Sequence, residues 1–133
     1  MQTIQCRGWV RIPAGGTITT LQRIGYGPNY TLITRAAVES VSYSVVLLGV
    51  YSNTPVMGHT AVAVPVAGAV FDAVQTSADW TNSGGDSSGY NFRWEIDTTA
   101  AEAFATPGHY LVTWIVTPAG APALVWETEV EAY

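Results

Sequence analysis

The sequence predicts an all-β protein: an antiparallel β-sandwich of about seven to nine strands, carried behind an extended N-terminal arm. Three observations lead there. In Gly89 to Asp97, Tyr90, Phe92, Trp94 and Ile96 alternate with Asn91, Arg93, Glu95 and Asp97. A period of two puts one set on each face of a strand, and aromatic and branched residues suit a pleated, half-buried surface. Two further runs alternate in the same way, His109 to Thr117 and Leu124 to Ala132. Turn signals recur between such runs and leave room for at most one helical turn, a pattern that belongs to sandwiches.

The elements follow in order. Residues 1–35 read as an irregular arm and residues 36–133 as the sandwich. In the arm, Trp9, Val10 and Ile12 suit a brief edge strand before Pro13, and Ala14-Gly15-Gly16 suits a turn. Ile18 to Ile24 alternates weakly, and Gly25 to Tyr30 reads as a loop. Val41, Tyr43 and Val45 alternate with Ser42 and Ser44, then Val46, Leu47 and Leu48 form an apolar run. That change predicts one-sided burial giving way to burial on both faces. Tyr51 to Thr60 is a loop. Thr60 to Val66 is extended, with Pro65 confining it to an edge or bulge. Val70 to Val74 is a short strand or one helical turn. A polar loop from Thr81 to Ser88 leads into the strand at Tyr90, and Thr98 to Phe104 is the best place for a helical turn. In the last two strands, Tyr110, Val112, Trp114 and Val116 face the core, as do Leu124, Trp126, Thr128 and Val130. Glu127, Glu129 and Glu131 make a row of carboxylates on the other face.

Charge is scarce and unevenly placed. Only 11% of the 133 residues are charged, and there is no lysine. Arg7, Arg11, Arg23 and Arg35 lie in the first 35 residues, which hold no acid; the remainder sets Arg93 against ten acids. Such asymmetry suggests an interaction arm. The arm either folds back on its own acidic body or reaches an acidic surface on a neighbouring copy or another protein. Like charges along Glu127, Glu129 and Glu131 are mildly unfavourable unless cations cover them, so these acids are natural partners for the arginines. Arg7, Trp9, Arg11, Arg23, Tyr26, Tyr30, Arg35, Glu127, Glu129 and Glu131 are the candidate partner-binding residues. Four spaced arginines in an acidic protein make a poor nucleic-acid footprint, so no nucleic acid is expected.

No catalytic or metal constellation stands out. Gly85-Asp86-Ser87-Ser88-Gly89 matches G-x-S-x-G, but a nucleophile elbow needs a strand before it and a helix after it. Here a loop precedes and a strand follows. His59 and His109 are the only histidines, too few for a zinc site with a distant Cys6 as third ligand. Asp79 and Asp86 lack the spacing of a calcium loop. No cofactor, metal or enzymatic activity is expected. Cys6 stands alone, so the fold does not rest on an internal disulfide. The start lacks an apolar signal region, and no apolar run is long enough to span a bilayer, so neither secretion nor membrane insertion is expected.

Several segments together carry a resemblance: Ala37 to Val45, Val70 to Thr76 with Trp80 after it, Gly89 to Arg93, and Tyr110 to Trp114. They resemble the immunoglobulin-like β-sandwich structural proteins of tailed phages, similar to the N-terminal domain of phage baseplate upper proteins, over about residues 35–131. The spacing from Phe104 through Pro107-Gly108 to Tyr110 is similar to the approach to strand F of an immunoglobulin-like domain. Tyr110 stands where a tyrosine corner would be, and Val112 where a disulfided member would have cysteine. The resemblance implies a non-enzymatic virion component of head, neck or tail, made in the bacterial cytoplasm. Its partners would be other copies of itself and other virion proteins. The alternative is a carbohydrate or cell-surface binding module using exposed aromatics on a host-surface glycan.

Overall fold

The computed structural model describes residues 7–26, 31–76, 90–96 and 103–133. They form two main β-sheets packed face to face, with one short helix. In chain order the elements are β1 (Arg7–Ile12), β2 (Thr19–Gln22), β3 (Gly25–Tyr26) and β4 (Thr31–Leu32). A 3-10 turn (Arg35–Ala37) leads into β5 (Val38–Leu48), followed by β6 (Thr54–Pro55), β7 (Val62–Val64), α1 (Val66–Ala69) and β8 (Val70–Gln75). The chain continues with β9 (Tyr90–Glu95), β10 (Gly108–Pro118) and β11 (Leu124–Ala132). One sheet runs β1-β11-β10-β5-β6, with β7 also on β5; the facing sheet runs β2-β9-β8. β3 and β4 form a separate small hairpin.

The core forms where the alternating faces meet. Val112, Trp114 and Val116 of β10 are fully buried, and Tyr110 nearly so. They meet Val41, Tyr43 and Val45 from β5, Trp126 and Val130 from β11, and Phe92 from β9. Trp114 sits at the centre. Its ring lies 5.0 Å from Phe92, 5.1 Å from Tyr43 and 6.2 Å from Trp126. Its indole N–H donates to the Thr20 hydroxyl at 3.0 Å, joining the two sheets by a side-chain bond. Among the described residues, this bond gives a buried polar pair its partner across the core. At the start of β10 the Tyr110 hydroxyl donates to the Thr106 carbonyl at 2.7 Å, which pins the corner before the strand.

The expected extended arm over residues 1–35 is corrected in its described part. β1 and β2 belong to the two sheets, and Val10, Ile12, Ile18, Leu21 and Ile24 are buried. The physical reason is apolar content. These residues supply the inner faces at the edges of both sheets, where β11 and β9 would otherwise expose theirs. The antiparallel expectation is also corrected at one place, since β1 runs parallel to β11. The chain crosses from β1 to the opposite sheet through the turn at Pro13 to Gly16. There Gly15, at φ 84°, takes a left-handed conformation that suits glycine.

Two further expectations change. Val46, Leu47 and Leu48 are only half-buried: Leu47 packs against the rim of the core, while Val46 and Leu48 lie on the outer face of β5, which stays open to solvent. Asn91, expected on a wet face, is fully buried. Its side-chain oxygen accepts the Ile24 N–H at 2.8 Å, and its amide donates to the Ile24 and Ile33 carbonyls, each at 3.2 Å. One side chain thus satisfies backbone groups where β2 has ended and the β3–β4 hairpin begins and returns. Asn91→Ala leaves a buried N–H and carbonyl short of partners. It is expected to cost about 3 kcal/mol and to lower the melting temperature by roughly 10 °C, read by thermal and urea unfolding.

Candidate functional site

β1 and β11 bring six of the predicted partner-binding residues together within one chain. The register pairs Arg7 with Glu127, Trp9 with Glu129 and Arg11 with Glu131. Directly opposed residues share a face, so the basic edge strand lies along the acidic row. On its other side the row faces Thr113, Leu111 and His109 of β10. Arg11 Nε stands 3.6 Å from Glu131 Oε2 and its guanidinium stacks 4.0 Å from the Tyr133 ring centroid. Partners this exposed contribute only about 0–1 kcal/mol. The inner residues Val10 and Ile12, in register with Val130 and Ala132, therefore set the pairing, and the charges conform to it. Of the two readings of the charge asymmetry, the register sets the arginines of β1 opposite acids of their own chain, and Arg11 pairs with Glu131.

The other candidates separate. Arg35 is a staple inside the fold: its backbone N–H donates to Asp72 Oδ1 at 2.8 Å and its Nε to the Val70 carbonyl at 2.6 Å. Its guanidinium lies 4.8 Å from the Phe71 ring centroid. It joins the 3-10 turn to β8. Arg23 follows β2 and lines a cavity taken up below. Tyr26 belongs to β3, opposite Thr31. Tyr30, Trp80, Asp79, Asp86 and Ser87, together with most of the helical turn expected at Thr98 to Phe104, lie outside the described residues.

The histidines occupy different settings. His59 is buried, with Nδ1 2.8 Å from the Tyr43 hydroxyl, and its carbonyl accepts the Val45 N–H at 2.7 Å. It is a structural link between the loop after β6 and β5. His109 is exposed, between Glu131 and Leu48 in register. Among the described residues, no group of three or more His, Cys, Asp or Glu side chains is placed to hold a metal ion. No helix among them is long and apolar enough to cross a membrane.

Two surface features escaped the sequence. The first is the loop after β5. Val50 is 91% exposed, Tyr51 99% and Met57 89%. Gly49 closes the turn that presents them: a Cβ there would lie 2.3 Å from the Ser52 carbonyl oxygen, so no larger residue fits without moving the backbone. The second is a cavity of about 110 Å³ lined by Gln22 to Gly25, after β2, and by Leu124, Val125 and Trp126 at the start of β11. Trp126 is 4% exposed, and its indole N–H has no hydrogen-bond partner among the described residues. A buried donor left unbonded costs about 1–3 kcal/mol.

No family model, curated protein or solved structure matches this chain. Function therefore has to be argued from the surfaces themselves. Their common property is exposed apolar and aromatic area: Trp9 and Val125 on or beside the charged strands, Tyr133 under Arg11, and the loop tip at Val50 and Tyr51. One apolar residue on a surface is ordinary, whereas this loop holds three large ones in water. Alternation could not have found this loop, because it describes strands. The available signal was Val50-Tyr51 directly before Ser52-Asn53, two large side chains inside a polar turn.

Proposed function

We propose that this chain is a non-enzymatic structural protein of a tailed-phage virion, built on an immunoglobulin-like sandwich and working through protein–protein contacts. The strand order supports the architectural part. β11-β10-β5-β6 corresponds to strands G, F, C and C′, and β2-β9-β8 to B, E and D. β1 is then an added strand beside G. The Tyr110 hydroxyl on the Thr106 carbonyl, two residues before Val112, has the form of a tyrosine corner. Strands B and F, which a disulfide at Val112 would join, are here tied two residues further along β10 by the Trp114–Thr20 hydrogen bond.

The observation that carries the assembly reading is the loop from Gly49 to Gly58, with Val50, Tyr51 and Met57 almost wholly in solvent. Burial of such residues drives association, and aromatic residues and methionine are enriched at interface cores. The resemblance to tailed-phage proteins supplies the setting, a particle in which many copies meet. The test is to fractionate a producing lysate and to probe purified particles for this protein. Stoichiometric presence on particles is the expected result. Its absence from them would sink the reading. Retention on host glycans, lost on changing the half-exposed Trp9 to alanine, would favour a carbohydrate or cell-surface binding module instead.

A further inference from the structure

We infer that the uncharged half of the larger sheet's outer face is an isologous interface, on which a second copy of this chain stacks sheet to sheet. This deepens the assembly reading above and rests on it. From Ser40 to Phe71 the chain holds no Asp, Glu, Lys or Arg, in a protein with a net charge of −5. That run makes nearly all of β5 and the whole of β6, β7 and α1. The outer face of the larger sheet is thereby divided lengthwise. One half carries the arginines of β1 and the Glu127, Glu129 and Glu131 row of β11. The other half is β10 with β5, β6 and β7, where Glu39, at the far end of β5, is the single Asp, Glu, Lys or Arg. Val46 and Leu48 of β5 and Leu111 of β10 are half-buried there, and serines and threonines lie between them. Leu111 stands opposite Val46, and Val46 opposite Pro55, so an apolar row crosses three strands.

Copies of a protein with a net charge repel one another, and on the neutral half they meet without setting like charges together. Interface centres are depleted in charge and enriched in aromatic residues and methionine, with polar groups at the rim. β5 runs past Leu48 into the turn that bears Val50 and Tyr51, and Met57 lies in the next turn, after Pro55. Both turns are held. The Gly49 N–H donates to Asn53 Oδ1 at 3.4 Å, and the His59 N–H to the Val56 carbonyl at 3.0 Å, with Gly58 at φ 82°. Little freedom is therefore lost when they are covered. The area suffices as well. Three strands about 4.8 Å apart, each over nine residues at about 3.4 Å, span roughly 440 Å². Tyr51, 99% exposed, adds roughly 200 Å². Val50 and Met57 bring the total near the ~800 Å² per partner of a specific interface. Charge also selects the two-fold axis. An axis across the strands would lay each Glu127 to Glu131 row on its counterpart. An axis along β5 lays β5 on β5 and β10 on the β6 and β7 edge, and leaves both acidic rows outside the contact at opposite margins. The sheets then stack about 10 Å apart with strands within about 30°, each patch meeting itself.

Self-facing gives the test. Under this two-fold Val46 lies near its own counterpart, so Val46→Glu and Val46→Lys each set like charges across the axis. Thermal melting and circular dichroism confirm that the variants fold. Sedimentation of the purified full chain over a concentration series is expected to show a wild-type dimer. Each variant alone should dimerise roughly 30-fold more weakly. An equimolar mixture of the two should recover the dimer, since the substituted charges are then opposite. Met57→Glu, in a turn almost wholly exposed, should weaken the dimer likewise without touching a strand. Val125→Glu, 59% exposed on the charged half, should leave it unchanged. Wild-type protein that stays monomeric to about 1 mM overturns the proposal, as does a dimer indifferent to the Val46 and Met57 changes. A mixture no more associated than its components, or a dimer lost on Val125→Glu, overturns it as well. A protein present on particles but monomeric when pure would defeat this interface while leaving the virion reading standing, and a dimer absent from particles would do the reverse.

Discussion

A chain that begins at residue 25 does not fold. Removing residues 1–24 deletes β1 and β2 and with them Val10, Ile12, Ile18, Leu21 and Ile24, all buried. At about 1.5–3 kcal/mol for each buried aliphatic side chain, the five contribute roughly 10 kcal/mol of transfer free energy. A whole domain has a net stability of only about 5–15 kcal/mol. The loss goes beyond the deleted atoms. Without β2, Phe92 and Trp94 on β9 lose their pairing on that side of the strand, and without β1 the edge of β11 opens along its length. The expected result is a truncated chain with no cooperative thermal transition and poor amide dispersion in a proton–nitrogen correlation spectrum. A cooperative melt with native-like dispersion for residues 25–133 would show that the leader is a detachable arm after all.

Trp114→Ala is the most damaging single substitution expected. Trp114 is fully buried and makes close ring contacts with Phe92 and Tyr43 besides stacking on Trp126. Large-to-small changes of buried aromatics cost about 3–5 kcal/mol, which lowers the melting temperature by roughly 15 °C in a domain of this size. The hydrogen bond to Thr20 adds to the loss, because truncation leaves that buried hydroxyl without its donor. A double-mutant cycle separates the two effects. Trp114→Phe keeps a ring and removes the N–H, and Thr20→Val removes the acceptor at similar volume. A coupling of about 1 kcal/mol between them is expected from urea unfolding. Zero coupling would mean that the sheets are joined by packing alone at this point.

Much of the frame was legible in the chain because strand burial has a period of two. The inner faces of β10 and β11 follow from Tyr110, Val112, Trp114 and Val116 and from Trp126, Thr128 and Val130. Pro65 was read as an edge or bulge within an extended Thr60 to Val66; the strand instead ends at Val64, and Pro65 takes the position before α1. Asn91 was not legible. Its residue type fits a wet face, and only the arrival of Ile24 and Ile33 from a distant hairpin gives it partners and burial. The leader misled for a related reason. Its arginines and glycines suggested solvent, yet in β1 Arg11 faces out between the buried Val10 and Ile12, a pattern that one six-residue strand shows only weakly, and β2 is buried throughout.

The candidate surfaces divide the same way. Opposite charge in the leader and in the Glu127 to Glu131 row was visible in the chain, and so was the likelihood of a meeting between them. That Arg7, Trp9 and Arg11 meet the row on their own protein, in parallel register, depended on the sandwich bringing residue 7 beside residue 127. Local alternation determined which side chains face inward, because the backbone's geometry sends successive residues to opposite faces wherever a strand forms. The partners of those faces were decided by tertiary structure, because strand pairing joins segments far apart in sequence, and no local pattern encodes which edge a short strand will close. The cavity beside Trp126 is of this second kind. It is walled by residues about a hundred positions apart, and only the packing of one sheet on the other makes them neighbours.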